Sequence, residues 1–119
     1  METMFVTITG VGHYYDLTPF RPGRIVKLVK DKHNIYDDEA IAVRMPFIDT
    51  VGYVANSINT VFLGTVSAGR LYDKIGSFAY ARVMFVTHSS AIALVLPPEA
   101  NSGCDEIFEK QDVEKELIL

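Results

Sequence analysis

Apolar and polar residues alternate near the start of the chain, which is the pattern of a half-buried β-strand. Met4, Val6 and Ile8 share one face of the segment Met4–Thr9, and more polar residues lie between them. The same period of two recurs along the next forty residues. It predicts three further strands, over Arg24–Lys30, Ala40–Met45 and Asp49–Val54.

Two short helices are predicted in the more polar stretch that follows these strands. Asn56 or Ser57 is suited to cap a helix that runs through Leu63. Ser67 is suited to cap a second helix over Ala68–Ile75.

Two longer apolar segments complete the pattern, and they predict strands over Phe78–Thr87 and Ala91–Leu96. Pro97 and Pro98 end this region. The predicted fold class is therefore mostly β, with one or two short helices between strands 4 and 5. Six short strands separated by turn residues are typical of a small barrel or a sandwich, and a closed barrel would leave no exposed strand edge.

The length of 119 residues fits one domain. We divide the chain into a barrel domain over residues 1–98 and an acidic tail over residues 99–119. Apolar residues in the tail, such as Phe108 and Leu117, stand among acids with only partly helical spacing. The tail is interpreted as a short solvated helix, with a packing or dimerisation segment as the alternative.

The net charge of −4 at first speaks against a nucleic-acid-binding protein. All of this net charge lies after residue 100, because residues 1–100 hold as many bases as acids. A local basic strip in a neutral domain can bind phosphate with a shallow salt dependence. The strip consists of Arg21, Arg24, Lys27, Lys30, Lys32 and Arg44.

The chain shows no sign of an oxidising compartment or a membrane. Cys104 is the single cysteine, so neither an intrachain disulfide nor a Cys-rich zinc site can form. The N-terminus lacks the basic and apolar regions of a signal peptide. The most apolar stretch is interrupted by Arg82 and His88, which a membrane span would not tolerate. We expect a cytoplasmic protein without a membrane partner.

Residues suited to catalysis are few. None of the three histidines has a second His or Cys at a metal-ligand spacing, and nearby carboxylates make Cys104 a poor nucleophile. Asp37-Asp38-Glu39 is a carboxylate run of the kind that some nucleases use to hold magnesium, but no acid-x-lysine pattern follows it. We expect no catalytic residue, metal or cofactor, and keep a metal-dependent nuclease as an alternative.

Four tyrosines lie in or beside predicted loops and strand ends. A single one is well explained as a core-edge residue with a wet hydroxyl. Together they could line one face of a small barrel, and aromatic faces beside Arg and Lys hold single-stranded nucleic acid at about 1–3 kcal/mol per stacked base. The four are Tyr14, Tyr15, Tyr36 and Tyr53.

The order of these residues resembles the HIRAN domain, known as a module of fork-remodelling ATPases and as small free-standing bacterial proteins. The resemblance covers roughly Phe5 to Leu96. It rests on three blocks: Gly12-His13-Tyr14-Tyr15, Asp31-x-x-Asn34-x-Tyr36-Asp37-x-x-Ala40-Ile41-x-Val43, and Val51-Gly52-Tyr53-Val54.

The resemblance implies an OB-like, six-stranded antiparallel barrel that recognises the 3′ end of single-stranded DNA. Tyr14 and Tyr36 would contact the terminal nucleotides, and Asp37 would accept a hydrogen bond from the 3′-hydroxyl. His13 stands where the remodelling enzymes carry a basic residue, and Tyr53 where they carry a histidine. The chain has no ATPase segment, so a partner helicase or ATPase would do any remodelling.

Simple electrostatics supports such a site. A carboxylate accepts a strong hydrogen bond from a hydroxyl and repels a phosphate in the same place. Arg24, Lys27 and Lys30 on the second predicted strand would contact backbone phosphates. Two or three such contacts predict a log–log salt slope of about −1.4 to −2.

Two questions stay open from the sequence. Asn34 and Asp37 are equally suited to organise the loop through bonds to backbone N–H groups. The rival function is a protein-interaction module that has lost DNA binding, and RNA is as compatible with the residues as DNA.

Overall fold

Six antiparallel strands close into a barrel in the computed structural model of the chain, which describes residues 2–111. Around the barrel the strands follow the order β1, β4, β3, β2, β5, β6, and β6 pairs with β1. The mostly β fold and the barrel are confirmed. The strands are β1 (Phe5–Thr9), β2 (Ile25–Lys30), β3 (Ile41–Met45), β4 (Asp49–Val54), β5 (Phe78–Val86) and β6 (Ala91–Val95).

Alternate residues of the strands fill the barrel interior, as the period of two predicts. Val6, Leu28, Val43 and Val51 come from four different strands, and each is fully buried in the main core cluster. Burying such a side chain stabilises the fold by about 1.5–3 kcal/mol. The intervening residues point outwards. Some of them, such as Ile25, are buried against another part of the chain, so only the partly exposed ones are available for a ligand.

The connection from β4 to β5 corrects one prediction. The helix expected from Asn56 or Ser57 through Leu63 is wrong, because this segment forms turns. The side chain of Asn56 instead accepts a hydrogen bond from the Gly69 N–H at 2.8 Å, a tertiary contact that the local sequence does not reveal.

The second predicted helix is present as α1 (Ala68–Tyr72), three residues shorter than expected. Ser67 is its N-cap, as predicted, and its Oγ accepts a hydrogen bond from the Arg70 N–H at 3.2 Å. No helix among residues 2–111 is long and apolar enough to cross a membrane.

A longer helix, α2 (Asn101–Lys110), follows the last strand and packs on the outer face of the barrel. Cys104 and Phe108 are buried with Ile25 and Tyr80 in a second, smaller cluster. The Tyr80 and Phe108 ring centroids lie 5.7 Å apart. The sequence left two interpretations of this segment, a solvated helix and a packing segment. The inner face of α2 packs against the barrel. The remaining tail residues, 112–119, lie outside the described part of the chain.

Gln111 fastens the end of α2 to the start of β2. Its Oε1 accepts a hydrogen bond from the Ile25 N–H at 2.7 Å, and its Nε2 donates one to the Ile25 carbonyl at 2.8 Å. The Tyr80 hydroxyl also donates a hydrogen bond to the Asp105 carboxylate. The outer face of β2 and β5 is thus partly covered by α2, which forms one wall of a cleft on that face.

Candidate nucleic-acid interface

A shallow cleft of about 270 Å³ lies between the β2–β3 loop and the segment that follows β4. Tyr36 and Asp37 line it from the loop, Tyr53 lines it from β4, and Asn56 lies just after that strand. We refer to these four residues and the space between them as the tyrosine cleft. Three residues singled out from the sequence, 17 positions apart at most, therefore meet at one place.

The β2–β3 loop is shaped by the side chain of Asn34. Its Oδ1 accepts hydrogen bonds from the backbone N–H groups of Tyr36 at 2.9 Å and Asp37 at 3.0 Å. This arrangement is a local turn of the type that Asn favours. The turn holds Tyr36 away from the barrel, with 92% of the residue exposed. An aromatic face is thereby presented to solvent at the edge of the cleft.

Asp37 has two structural bonds. Its Oδ1 accepts from the Glu39 N–H at 2.9 Å, and its Oδ2 accepts from Asn56 Nδ2 at 3.0 Å. The loop-organising role considered from the sequence is therefore present. A carboxylate has about four lone-pair positions, so these two bonds leave acceptor capacity for a ligand.

Asn56 links three parts of the chain, and sequence reasoning assigned it only a helix cap. It donates to Asp37, 19 positions away, and accepts from Gly69 in α1. No local pattern signals such a contact, because it depends on how the barrel brings the loops together.

A hydrogen bond to Asp31 holds Tyr53 in place at the cleft. The Tyr53 hydroxyl donates to Asp31 Oδ2 at 2.8 Å. Burial, followed by this bond, raises the pKa of Tyr53 to about 12, so the hydroxyl stays protonated. The same bond is the main reason that the pKa of Asp31 lies below its ordinary value. The ring of Tyr53 is therefore fixed at the cleft by a charge-assisted hydrogen bond.

Replacing Tyr53 with Phe should change the pH dependence of stability. A carboxyl group with a lowered pKa stabilises the fold above its unfolded pKa, and this stabilisation is lost as pH falls through the folded pKa. Tyr53→Phe removes the main cause of the lowered pKa of Asp31. We expect the stability difference between wild type and variant to be largest at pH 7 and to shrink by pH 3.

Chemical denaturation at these two pH values measures that difference. An equal difference at pH 7 and pH 3 would show that the Tyr53 hydroxyl does not act through the ionised Asp31.

His13, Tyr14 and Tyr15 lie where the chain leaves β1. A short 3-10 turn, Val11–His13, follows the strand, and both tyrosines are about two-fifths exposed. β1 pairs with β4 so that Thr9 faces Tyr53. Tyr14 is close enough to Tyr53 to contribute to its raised pKa. These residues thus flank the tyrosine cleft on its β1 side.

The three bases predicted on β2 do not line the tyrosine cleft. The Arg24 guanidinium donates to the Pro19 carbonyl at 2.8 Å. The Lys30 ammonium donates to the Ile75 carbonyl at 2.9 Å, and Lys27 lies over the Phe78 ring. The structure therefore separates these bases from the tyrosines that the sequence suggested they accompany.

Groups suited to metal or covalent chemistry are sparse. Within residues 2–111, no group of three His, Cys, Asp or Glu side chains is placed to hold a metal ion. Burial is the main reason that the pKa of the Cys104 thiol is raised, which disfavours the reactive thiolate. The chemistry that the tyrosine cleft offers is stacking and hydrogen bonding.

Comparison with known proteins gives two solved structures with this fold. A crystal structure of a protein from Lactobacillus plantarum is 22% identical, with 79% of this chain and 93% of that chain covered and a TM-score of 0.56. The crystal structure of the HIRAN domain of human HLTF is 18% identical, with 91% and 87% covered and a TM-score of 0.53. No curated protein matches the chain.

The family assignment comes from the sequence itself. A family model described as the HIRAN domain matches residues 1–96, which is most of the chain and contains every residue of the tyrosine cleft. The chain therefore belongs to the HIRAN domain family, a family of DNA-binding modules.

Proposed function

We propose that this protein binds the 3′-hydroxyl end of single-stranded DNA and does not catalyse a reaction. The observation that supports this most directly is the meeting of Tyr36, Asp37 and Tyr53 in one cleft. The cleft combines an exposed aromatic face with a carboxylate that retains acceptor capacity, and these are the two groups that a strand end requires.

Asp37 would select the end by its charge. A 3′-hydroxyl is a donor, so it can bond to a free lone pair of the carboxylate. A 3′-phosphate brings negative charge to the same place and is repelled. Asp31, which is bonded to Tyr53 at the cleft, adds to this repulsion. The cleft would therefore discriminate between ends without reading the base sequence.

The tyrosines would hold the terminal nucleotides. Tyr36 has both ring faces accessible, because it is almost fully exposed. Each stacked base contributes about 1–3 kcal/mol and shows little sequence preference. Tyr14 would add a second aromatic surface, while His13 would contact a phosphate from the β1 side. Tyr53, fixed by Asp31, would form the floor against which the sugar packs.

Fluorescence anisotropy at low salt, with a short labelled single strand, tests the proposal. The strand carries either a 3′-hydroxyl or a 3′-phosphate. We expect about tenfold or greater preference for the hydroxyl, since a hydrogen bond to a charged group contributes about 1.5–3 kcal/mol. Equal binding would leave a barrel that holds strands without reading their ends, and an RNA strand of the same length compares the two nucleic acids.

A protein-interaction module is the second candidate, and one surface feature favours it. Large apolar side chains are exposed between the β4–α1 connection and the end of β5, around a cleft of about 310 Å³. Exposed apolar patches commonly mark contact sites. The exposed apolar side chains around this cleft include Phe62, Leu63, Met84 and Phe85. The absence of binding to either strand in the anisotropy experiment would favour this function.

The proposed function also implies a protein partner and a cellular location. A binding module cannot expose a strand end by itself, so a partner helicase or ATPase would supply it. The buried free thiol of Cys104 is compatible with a reducing compartment such as the cytoplasm.

A further inference from the structure

A second cleft, of about 280 Å³, lies on the outer face of the barrel beside α2. Lys27 from β2 and Arg44 from β3 line it, together with Phe78 and Phe108. Lys27 and Arg44 are direct cross-strand partners. Like charges placed opposite each other destabilise a sheet, so the pairing of Lys27 with Arg44 does not itself stabilise the barrel. We call this space the Lys27–Arg44 cleft.

Among residues 2–111, one carboxylate, that of Asp49, forms an ion pair with one of the two bases of the pair. The Lys27 ammonium lies 4.5 Å from the ring centroid of Phe78, and within residues 2–111 no carboxylate forms an ion pair with it. Arg44 Nε is buried without a hydrogen-bond partner. It lies 3.5 Å from the Asp49 carboxylate, which is largely exposed. An anion in the cleft would satisfy the orphan N–H group, whose desolvation is otherwise unfavourable.

The strand register connects this cleft to the tyrosine cleft. Tyr53 pairs with Ala42, and Ala42 pairs with Val29, so these residues form one row across the outer face. Arg44 and Lys27 form the next row, two residues further along β3 and β2. With strands about 4.8 Å apart and residues about 3.3 Å apart, Lys27 lies roughly 12 Å from Tyr53. At about 3.4 Å per stacked nucleotide, three or four nucleotides span this distance.

We propose that the Lys27–Arg44 cleft binds an internal phosphate of the DNA strand whose 3′ end lies in the tyrosine cleft; this inference rests on the proposed function. Asp31 and Asp37 make the end-binding cleft acidic, whereas the second cleft has two bases, Lys27 and Arg44, against the one carboxylate of Asp49. A strand would therefore place its uncharged hydroxyl at the first and a phosphate at the second. The planar guanidinium of Arg44 suits a phosphate in particular.

One wall of the Lys27–Arg44 cleft is formed by Phe108, a residue outside the part of the chain that matches the family. The tyrosine cleft lies wholly within that part. Phe108 belongs to α2, which begins after residue 96, where the family match ends. Phe108 also packs on Tyr80, beside which the Lys27 ammonium lies at 5.8 Å from the ring centroid. The C-terminal helix thus shapes the phosphate site through apolar packing, although its exposed face carries acids.

The test compares a thymidine dinucleotide with an octanucleotide, both with a 3′-hydroxyl, in competition anisotropy. The full chain is used as wild type and as the double variant Lys27→Gln/Arg44→Gln. We expect the double variant to bind the octanucleotide about tenfold more weakly, which is the effect of removing one hydrogen bond to a charged group. Its affinity for the dinucleotide, which is too short to reach the second cleft, should stay within about twofold.

A salt titration gives a second readout. The log–log slope for the octanucleotide should become shallower by about 0.7 for each phosphate that the variant no longer neutralises. Lys110→Gln is the matched control, because it removes one positive charge from the exposed face of α2. It should change neither the octanucleotide affinity nor the slope. Thermal unfolding verifies that each variant is folded, and Lys27→Glu alone replaces the double variant if that one is not.

The outcomes separate the inference from the function on which it rests. If wild type prefers the 3′-hydroxyl but the double variant keeps its full octanucleotide affinity, the phosphate site is overturned and the end-binding function stands. If wild type shows no end preference while the double variant binds the octanucleotide more weakly, the end-binding function is overturned and the phosphate site stands. No binding by wild type overturns both.

Discussion

Replacing Asp37 with Asn is expected to abolish the preference for a 3′-hydroxyl over a 3′-phosphate. The amide oxygen of Asn can still accept the Glu39 N–H bond that Asp37 Oδ1 accepts now. Its NH₂ group, however, is a donor and cannot accept a bond from the DNA hydroxyl. We expect affinity for the hydroxyl end to fall about tenfold or more. Affinity for the phosphate end should hold or rise, because the repelling charge is gone.

Two controls separate this effect from damage to the loop. Asp38→Asn removes the same charge one position along, from an exposed residue that does not line the cleft. It should preserve the preference. Asn56→Ala removes the donor to Asp37 Oδ2 but keeps the carboxylate. It should retain most of the end preference while lowering thermal stability, since Asn56 also accepts from the Gly69 N–H.

Anisotropy with both strand ends and thermal unfolding, measured on the same preparations, decide the role of Asp37. The functional role requires that end preference disappears at nearly unchanged stability, because the one bond that Asp37→Asn removes lies at an exposed site. If stability falls and both affinities fall in proportion, the carboxylate only organises the loop.

The fold was largely predictable because the barrel strands repeat a simple pattern. Val6 and Ile8 of β1, and Met4 just before it, all enter the core, as their alternation indicated. In β2 the alternation indicated two apolar faces, and the structure shows that the face with Val26 and Leu28 enters the core. A strand needs only this period and a turn at each end, and both are local properties. The helix predicted before α1 is wrong, because Asn56 does not cap a local helix. Its side chain instead forms tertiary hydrogen bonds with Asp37 and Gly69.

The site was predictable only in part. Tyr36, Asp37 and Tyr53 were predicted as site residues from their order along the chain, which resembles that of the HIRAN domain. The structure brings them to one cleft. That Lys27 and Arg44 face each other depends on the register between β2 and β3. A shift of one residue would turn one of them to the other face, and residue spacing alone does not fix that register.

Replacing Gly52 with Ala should have the largest effect on stability. Gly52 lies in β4, immediately before Tyr53, where β4 pairs with β1. A Cβ at this position would lie 2.9 Å from the Thr9 carbonyl oxygen and 3.2 Å from side-chain carbons of Ile8 and Val11. The first of these contacts is with backbone, so it cannot be relieved by a side-chain rotation.

The clash would spread to the binding site. Thr9 pairs with Tyr53, and the 3-10 turn that carries His13 begins two residues after Thr9. Relief therefore requires β1 to move away from β4, which shifts Tyr14 relative to Tyr53. Overpacking of this kind lowers the free energy of unfolding by about 1–3 kcal/mol. We expect a melting temperature lower by roughly 4 °C per kcal/mol, with weaker strand binding in the variant that remains folded.

Gly103→Ala is the matched control, because the same methyl group is added where nothing lies within 4 Å. Gly103 is in α2, and Ala favours a helix over Gly by about 0.5–1 kcal/mol. The same Gly→Ala substitution should therefore lower the melting temperature of the protein when made at residue 52 and raise it when made at residue 103. A Gly52→Ala variant as stable as wild type would mean that β1 and β4 are not as closely apposed as the register requires. The turn bearing His13 and Tyr14 would then have no fixed position beside the tyrosine cleft.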